Sequence, residues 1–292
     1  MKKNTIIVTG GAGFVGTNLI KLILLRTNFK IISIDNYSSG FKKNHIKSGR
    51  IRYLKTDTKN IAKVLKKPEI INSVFHFGEF ARIYQSFIKM NECINSNSIG
   101  TNVVFNFCLK NKIKLIYSAT SASLGNNGLD KNLSPYAFTK AKNLELLENL
   151  KKWFNFKFEV IYFYNVYGPH QICTGDMATV IGIFEYHFKL NKPLPIVKPG
   201  TQNRRFTHIN DTVEICYNAW KNNLCRHYSI SNHKAYSILD VANMFGVKIK
   251  FLPKRPGERF ASALTKMNLN NRVYKYFGKV NLKTYIQNLK NI

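Results

Sequence analysis

Thr9-Gly10-Gly11-Ala12-Gly13-Phe14-Val15-Gly16 constrains this chain more than any other stretch. It follows a short β-branched run, Ile6 to Thr9, and precedes apolar residues at helical spacing, Leu19, Ile20, Ile23 and Leu24. Strand, tight turn and helix in that order open a parallel sheet. Glycines let the turn bend sharply and let a pyrophosphate approach the N–H groups of the helix start, so Gly10, Gly13, Phe14, Val15 and Gly16 are candidate dinucleotide-binding residues. The same glycines interrupt the basic and then apolar stretch from Met1 to Leu25, which otherwise imitates an export signal.

Further buried strands are expected at Ile31 to Ile34 ending in Asp35, Ile51 to Leu54, Ser73 to Phe77, Lys114 to Ser118 and Phe158 to Tyr162. Helical patterns near Ile61 to Leu65, Asn97 to Leu109 and Tyr136 to Trp153 separate several of them. This alternation predicts an α/β fold, a Rossmann doubly wound parallel sheet with a smaller C-terminal α/β substrate lobe. Past Tyr162 the pattern loosens and Pro169, Pro193, Pro195, Pro199, Pro253 and Pro256 punctuate it. The expected division is a dinucleotide-binding Rossmann domain over 1–165 and a mainly substrate-binding lobe over 166–292, interleaved with the sheet.

Asp35 ends the second strand about 20 residues beyond the glycines, where a carboxylate accepts from the adenosine ribose and repels a 2′-phosphate. NAD is therefore expected over NADP, although Lys42 and Lys43 keep NADP open. Asp57 follows the third strand and is a candidate acceptor from the adenine amino group.

Tyr136 and Lys140 stand four apart on one face of a helix opened by Ser134-Pro135. A phenol ordinarily titrates near 10, and a neighbouring ammonium stabilises its ionised form, which is what a base acting on a carbinol requires. In a chain so rich in tyrosine and lysine, chance supplies about two such spacings. The second is Tyr217 to Lys221. Context separates them: Tyr136 follows the strand end Tyr117-Ser118-Ala119-Thr120-Ser121, which presents hydroxyls at the carboxyl edge of the sheet, and Tyr217 has no such partner.

The charge bears on rival functions. With 45 Lys and Arg against 15 Asp and Glu the formal net charge is +30, which suits a phosphate backbone. The lysines are dispersed, however, and Lys, Asn and Ile make up about a third of the chain, as an AT-rich coding sequence produces. A nucleic-acid site is thus disfavoured. Five scattered cysteines without CxxC spacing point to a reducing, cytoplasmic setting and to no metal site. No apolar run approaches the roughly 18 residues of a membrane span.

The motifs together resemble those of NAD-dependent epimerase/dehydratases, from about residue 5 to residue 265, with most similarity to the UDP-galactose 4-epimerase branch. They are TGGAGFVG, the Asp35-Asn36 pair, the hydroxyl-rich strand end, SPYAFTK, YFYNVYGP from Tyr162, RRFTHINDTV from Arg204 and RPGE from Arg255. The resemblance implies bound NAD, held also by Asn36, Phe77, Gly78, Asn97 and Ser118, and a nucleotide-diphosphate sugar as substrate. It implies that Thr120 bonds the substrate hydroxyl, Tyr136 is the base, and Lys140 activates it and binds the ribose. Asn165 would contact the substrate phosphate, Arg204 and Arg255 the diphosphate, and Glu258 the nucleotide ribose. A homodimer is expected as well.

Several positions depart from the family. The loop between Thr120 and Tyr136 is short, Arg205 stands where an aspartate is common, and Gly78-Glu79 replaces two small apolar residues. Glu79 and Arg82 are therefore expected near the cofactor or sugar, as a specificity feature or as an ion pair. Ser121 and Ala122 stand where dehydratases and decarboxylases of the family carry acids. The expectation is an epimerase, at C4 first, with a 4-keto reductase or an epimerase at another carbon, including a nucleotide-heptose epimerase, as alternatives. A catalytically idle Rossmann protein that binds RNA is the rival from another class.

Overall fold

Six strands lie where the β-branched runs place them: β1 (Thr5–Thr9), β2 (Lys30–Asp35), β3 (Ile51–Lys55), β4 (Ile71–His76), β5 (Lys114–Thr120) and β6 (Phe158–Phe163). The computed structural model describes residues 3–123, 131–257 and 273–291. After β6 come β7 (Val166–Tyr167), β8 (Leu194–Val197), β9 (Asn203–Arg205), β10 (Thr207–His208), β11 (His227–Ser231), β12 (Ala235–Ser237), β13 (Ile249–Leu252) and β14 (Val273–Phe277). The main sheet runs β14-β11-β6-β5-β4-β1-β2-β3 with every neighbouring pair parallel. The chain beyond residue 165 thus completes the large sheet while also building a separate small core around Phe184, Ile196, Phe206 and Phe245.

Side chains alternate across each strand, so both faces are apolar. Ile6, Val8, Phe75 and Ile116 face α1 (Phe14–Arg26), and Ile7, Val74, Leu115 and Tyr117 face the opposite side. The remaining helices that matter here are α2 (Ile61–Val64), α3 (Ile83–Ile88), α4 (Met90–Ile94), α5 (Thr101–Lys110) and α6 (Pro135–Phe154). The expected helix over Asn97 to Leu109 is continuous in direction but begins with a wider turn at Asn95–Gly100. Helix α6 starts on Ser134, whose hydroxyl accepts from the Ala137 N–H, with Pro135 in the first turn. None of the described helices is long and apolar enough to cross a membrane.

Two glycines set how closely β1 and β4 approach at their carboxyl ends. A Cβ on Gly10, at φ +70°, would lie 2.9 Å from the Gly78 nitrogen, and one on Gly78 would lie 2.9 Å from the Gly10 nitrogen. The contact is tied by Thr9, whose hydroxyl accepts from the N–H groups of Phe77 (3.1 Å) and Gly78 (3.0 Å) and lies 2.7 Å from His76 Nδ1. With its acceptor capacity used, Thr9 donates to Nδ1, so the His76 proton sits on Nε2 and goes to Thr101 Oγ1 at 2.9 Å.

Burial holds His76 neutral and lowers its pKa from the ordinary 6.5 to about 4, with Glu79 opposing the shift and Lys140 reinforcing it. The unfolded chain therefore takes up this proton first, and stability present above pH 6.5 is lost as the pH falls toward 4. The loss assigned to His76 is about 3 kcal/mol between pH 7 and pH 4. His76→Gln, which cannot ionise, should show a flatter dependence of urea-unfolding free energy over that window, and an unchanged slope would remove the assignment.

Candidate active site

A cavity of about 420 Å³ opens along the carboxyl edge of the sheet, from the glycine turn to Tyr136. Gly10, Gly13, Phe14, Val15 and Gly16 line one end, and α1 begins at Gly13 without a side-chain cap. The first N–H groups of α1 are thus left for an anion. A Cβ on Gly16 would stand 2.1 Å from the Gly10 carbonyl oxygen, so only glycine allows the turn to close. Asp35 is 8% exposed, and its two oxygens accept from the N–H groups of Ala12 (3.0 Å) and Tyr37 (2.8 Å). Burial raises its pKa against those two bonds. Each oxygen keeps a lone pair for a ribose hydroxyl. Asn36 and Asp57 are bonded to each other at 3.3 Å on the same wall. Uncapped N–H groups, a carboxylate at the second strand end and Cβ-free backbone are the donor and acceptor set that NAD requires, and the site fits it.

The other end of the cavity holds Ser118, Thr120, Ser121, Ala122, Tyr136 and Lys140. Strand β5 delivers Ser118 and Thr120, the turn after it carries Ser121 and Ala122, and α6 delivers the tyrosine and lysine, one turn apart. Thr120 Oγ1 accepts from the Ala122 N–H at 3.1 Å, which leaves its proton and a lone pair for a ligand. Ser118 donates to the His76 carbonyl at 3.0 Å.

Lys140 has a partner that spacing alone does not reveal. Its ammonium is paired with Glu79 Oε2, the two side chains being 4% and 2% exposed, and it also donates to the Ser118 carbonyl at 2.6 Å. Glu79 Oε1 accepts from Thr101 (2.9 Å), Tyr117 (3.1 Å) and Asn143 (3.2 Å). Burial, with Glu79 adding to it, pushes the Tyr117 phenol well above the ordinary range and keeps it a donor.

Glu79 and Arg82 do not pair with each other. Arg82 crosses to the loop after β7, where Nε donates to the Met177 carbonyl at 2.9 Å and Nη2 to the same oxygen, while Nη1 donates to the Ala81 carbonyl at 2.7 Å. Burial lowers its pKa, and the nearby Tyr136 phenol works the other way. Phe77, Gly78 and Asn165 also line the cavity. Asn165 sits at φ 36° with its amide donating to the Arg205 carbonyl at 2.9 Å.

Three expected contacts fall off this wall. Asn97 is fully buried, and its amide is spent on the Phe80 backbone (2.7 and 3.0 Å) and on Thr139 (3.2 Å), so it pins the chain after β4 to α6. Arg204 is carried by β9 against Tyr236 of β12 and donates to the Asn203 carbonyl. Arg255 is exposed, its guanidinium 5.0 Å from the Tyr84 ring centre. Glu258 lies outside the described residues. Conversely, Ile172 and Met177 to Ile181 line the cavity although no local pattern marks them. Asn143, three residues after Lys140 on the same helix face, was open to detection by that spacing.

Known proteins resemble this chain in sequence and in fold. An ADP-L-glycero-D-manno-heptose-6-epimerase from Brachyspira hyodysenteriae is 28% identical over 225 residues, 72% of this chain and 70% of that protein. A UDP-glucose 4-epimerase from Thermotoga maritima, at 21% identity, superimposes with a TM-score of 0.84 over 98% of this chain and 99% of that one. A UDP-glucuronic acid 4-epimerase variant from Bacillus cereus, solved with a fluorinated UDP-glucuronic acid and NAD, is 25% identical with a TM-score of 0.82 over 98% and 99%. A model of the NAD dependent epimerase/dehydratase family matches residues 6–232. With that match covering most of the chain, the protein belongs to the NAD-dependent epimerase/dehydratase family of enzymes.

Proposed function

We propose that this enzyme is a nucleotide-sugar epimerase that inverts a sugar carbinol at C4. The observation that carries the reading is that, among the described residues, the end of the cavity that holds Thr120 and Tyr136 offers no uncommitted carboxylate. Ser121 and Ala122 occupy the positions of elimination acids, Glu79 is buried and committed to Lys140, and Asp35 and Asp57 line the opposite end with the glycine turn. Dehydration and decarboxylation therefore lack their acid, whereas inversion needs only a base, a hydroxyl donor and the cofactor.

NAD, when bound, supplies reversible hydride transfer. Tyr136 takes the carbinol proton and later returns it, Thr120 holds the substrate oxygen, and Asp35 engages the adenosine ribose. Lys140 keeps one of its three protons beyond Glu79 and Ser118, which is available to a ribose hydroxyl. An epimerase acting at another carbon, a heptose included, uses the same groups, and so does a 4-keto reductase. Exposed Phe87, Ile88, Met90, Ile99 and Phe138 on neighbouring helices favour a homodimer, and five free cysteines suit a cytoplasmic enzyme.

Tyr136→Phe should lower turnover by about 10² to 10⁴ with substrate affinity largely kept, while Tyr217→Phe stays near wild type. Wild-type turnover in Tyr136→Phe excludes this base. Sustained turnover on catalytic NAD without net absorbance change at 340 nm supports an epimerase, and stoichiometric NADH consumption selects the reductase. NAD should bind more tightly than NADP, and Asp35→Ala should narrow the gap. Equal dissociation constants for the wild type at one salt concentration would rule out that role for Asp35.

A further inference from the structure

The cavity wall carries two cations, and among the described residues only one of them has an acidic partner. Lys140 is neutralised by Glu79. Arg82 touches carbonyl oxygens alone, and no acidic group among the described residues reaches it. The nearest candidate on the adjoining loop, Asp176, is paired with Lys89 at 3.1 Å. A half-buried guanidinium without a counter-charge is a costly thing to leave beside a reaction centre. It becomes favourable when a ligand brings the missing anion.

Geometry indicates which anion. Of the five guanidinium N–H groups, three are used, on Met177 and Ala81, and one remains on each of Nη1 and Nη2. That pair suits two oxygens of a carboxylate or of a phosphate, and its place relative to the reacting carbon decides between them. Arg82 and Tyr136 line the same cavity. In a hexose whose C4 hydroxyl meets Tyr136, the anomeric carbon with its diphosphate is across the ring. The substituent on C5 is adjacent. A cation beside the phenol therefore neighbours either the C3 hydroxyl or the C6 group on C5, and of these two only the C6 position of a hexose can carry an anion.

We propose that Arg82 binds a carboxylate at C6, so that the preferred substrate is a nucleotide-diphosphate hexuronate. The proposal rests on the epimerase reading with reaction at C4. Arg82 is a specificity residue that leaves proton transfer to Tyr136, and its bonds to Met177 hold the guanidinium aimed at the sugar.

The test uses the full-length NAD-loaded protein with three probes: UDP-glucuronate, UDP-glucose and UDP. Affinity is read by calorimetry and kcat/KM by NMR of the products, for wild type, Arg82→Met and Arg82→Lys. Wild type should prefer the uronate in both readouts. Arg82→Met should weaken uronate binding and kcat/KM by about 10- to 150-fold, the range of a charge-assisted hydrogen bond, and change the glucose and UDP values by about threefold or less. Arg82→Lys should recover part of the preference, and it carries the test if Arg82→Met fails to fold. An equal loss on all three probes assigns Arg82 to the diphosphate or to a strut on Met177 and overturns the proposal, as does a wild type that binds uronate and glucose equally. Turnover of neither sugar with the binding preference intact would count against the epimerase reading instead.

Discussion

A lysine ammonium placed inside the carboxyl edge of a parallel sheet must be compensated, and the Glu79 carboxylate meets that requirement. Isolated, either charge would cost several kcal/mol in this position. Paired, they need every remaining lone pair and proton satisfied, and the structure supplies the partners from four directions: Thr101 from α5, Tyr117 from β5, Asn143 from α6 and the Ser118 carbonyl. Thr101 also receives the His76 proton, and His76 receives that of Thr9, so the polar chain runs without a break from the glycine turn to the reacting helix. The position of Lys140 is therefore coupled to the approach of β1 and β4. The same tight approach is what makes residue 78 a glycine, because its Cα side lies on the backbone of Gly10.

That compensation changes the electrostatics of the cavity. A free ammionium-bearing lysine would present a full charge to ligands, whereas the Lys140–Glu79 pair presents a donor with little net charge. The uncompensated cation beside the phenol belongs to Arg82. Among the described residues, the carboxylate nearest Lys140, that of Glu79, is taken up in orienting the lysine.

Much of this was legible in local pattern. The six strands β1 to β6, the glycine turn, Asp35, Thr120 and the Tyr136-Lys140 pair depend on periodicities of two and four residues and on proximity along the chain, which a sequence displays directly. An asparagine in a motif carries no sign of what its amide bonds to, and here that of Asn97 engages the Phe80 backbone and Thr139. Arg204 and Arg255 were placed by analogy, and their positions depend on how β9 and the chain after β13 pack, which no short-range rule encodes. Glu79 and Arg82 were marked as anomalous and close together, yet their partners lie 61 and 95 residues away, on α6 and on the loop bearing Met177. The contribution of Met177 to Ile181 to the cavity was invisible for the same reason.

The charge of +30 gives the interior acids a particular weight. A chain with three basic residues for every acidic one leaves most lysines solvated on the surface, where composition can vary at little cost. The acids that are buried all have named partners. Asp35 takes two backbone N–H groups, Glu79 takes Lys140, Glu185 takes Gln171 and Tyr285, and Glu159 takes Lys114 with the N–H groups of Cys225 and Arg226. Each sits where removing its charge leaves a donor unsatisfied, so none is free to vary as surface lysines are. Arg82 is the converse case, a half-buried cation with no acidic partner among the described residues, although Glu79, only three residues earlier, is paired with Lys140.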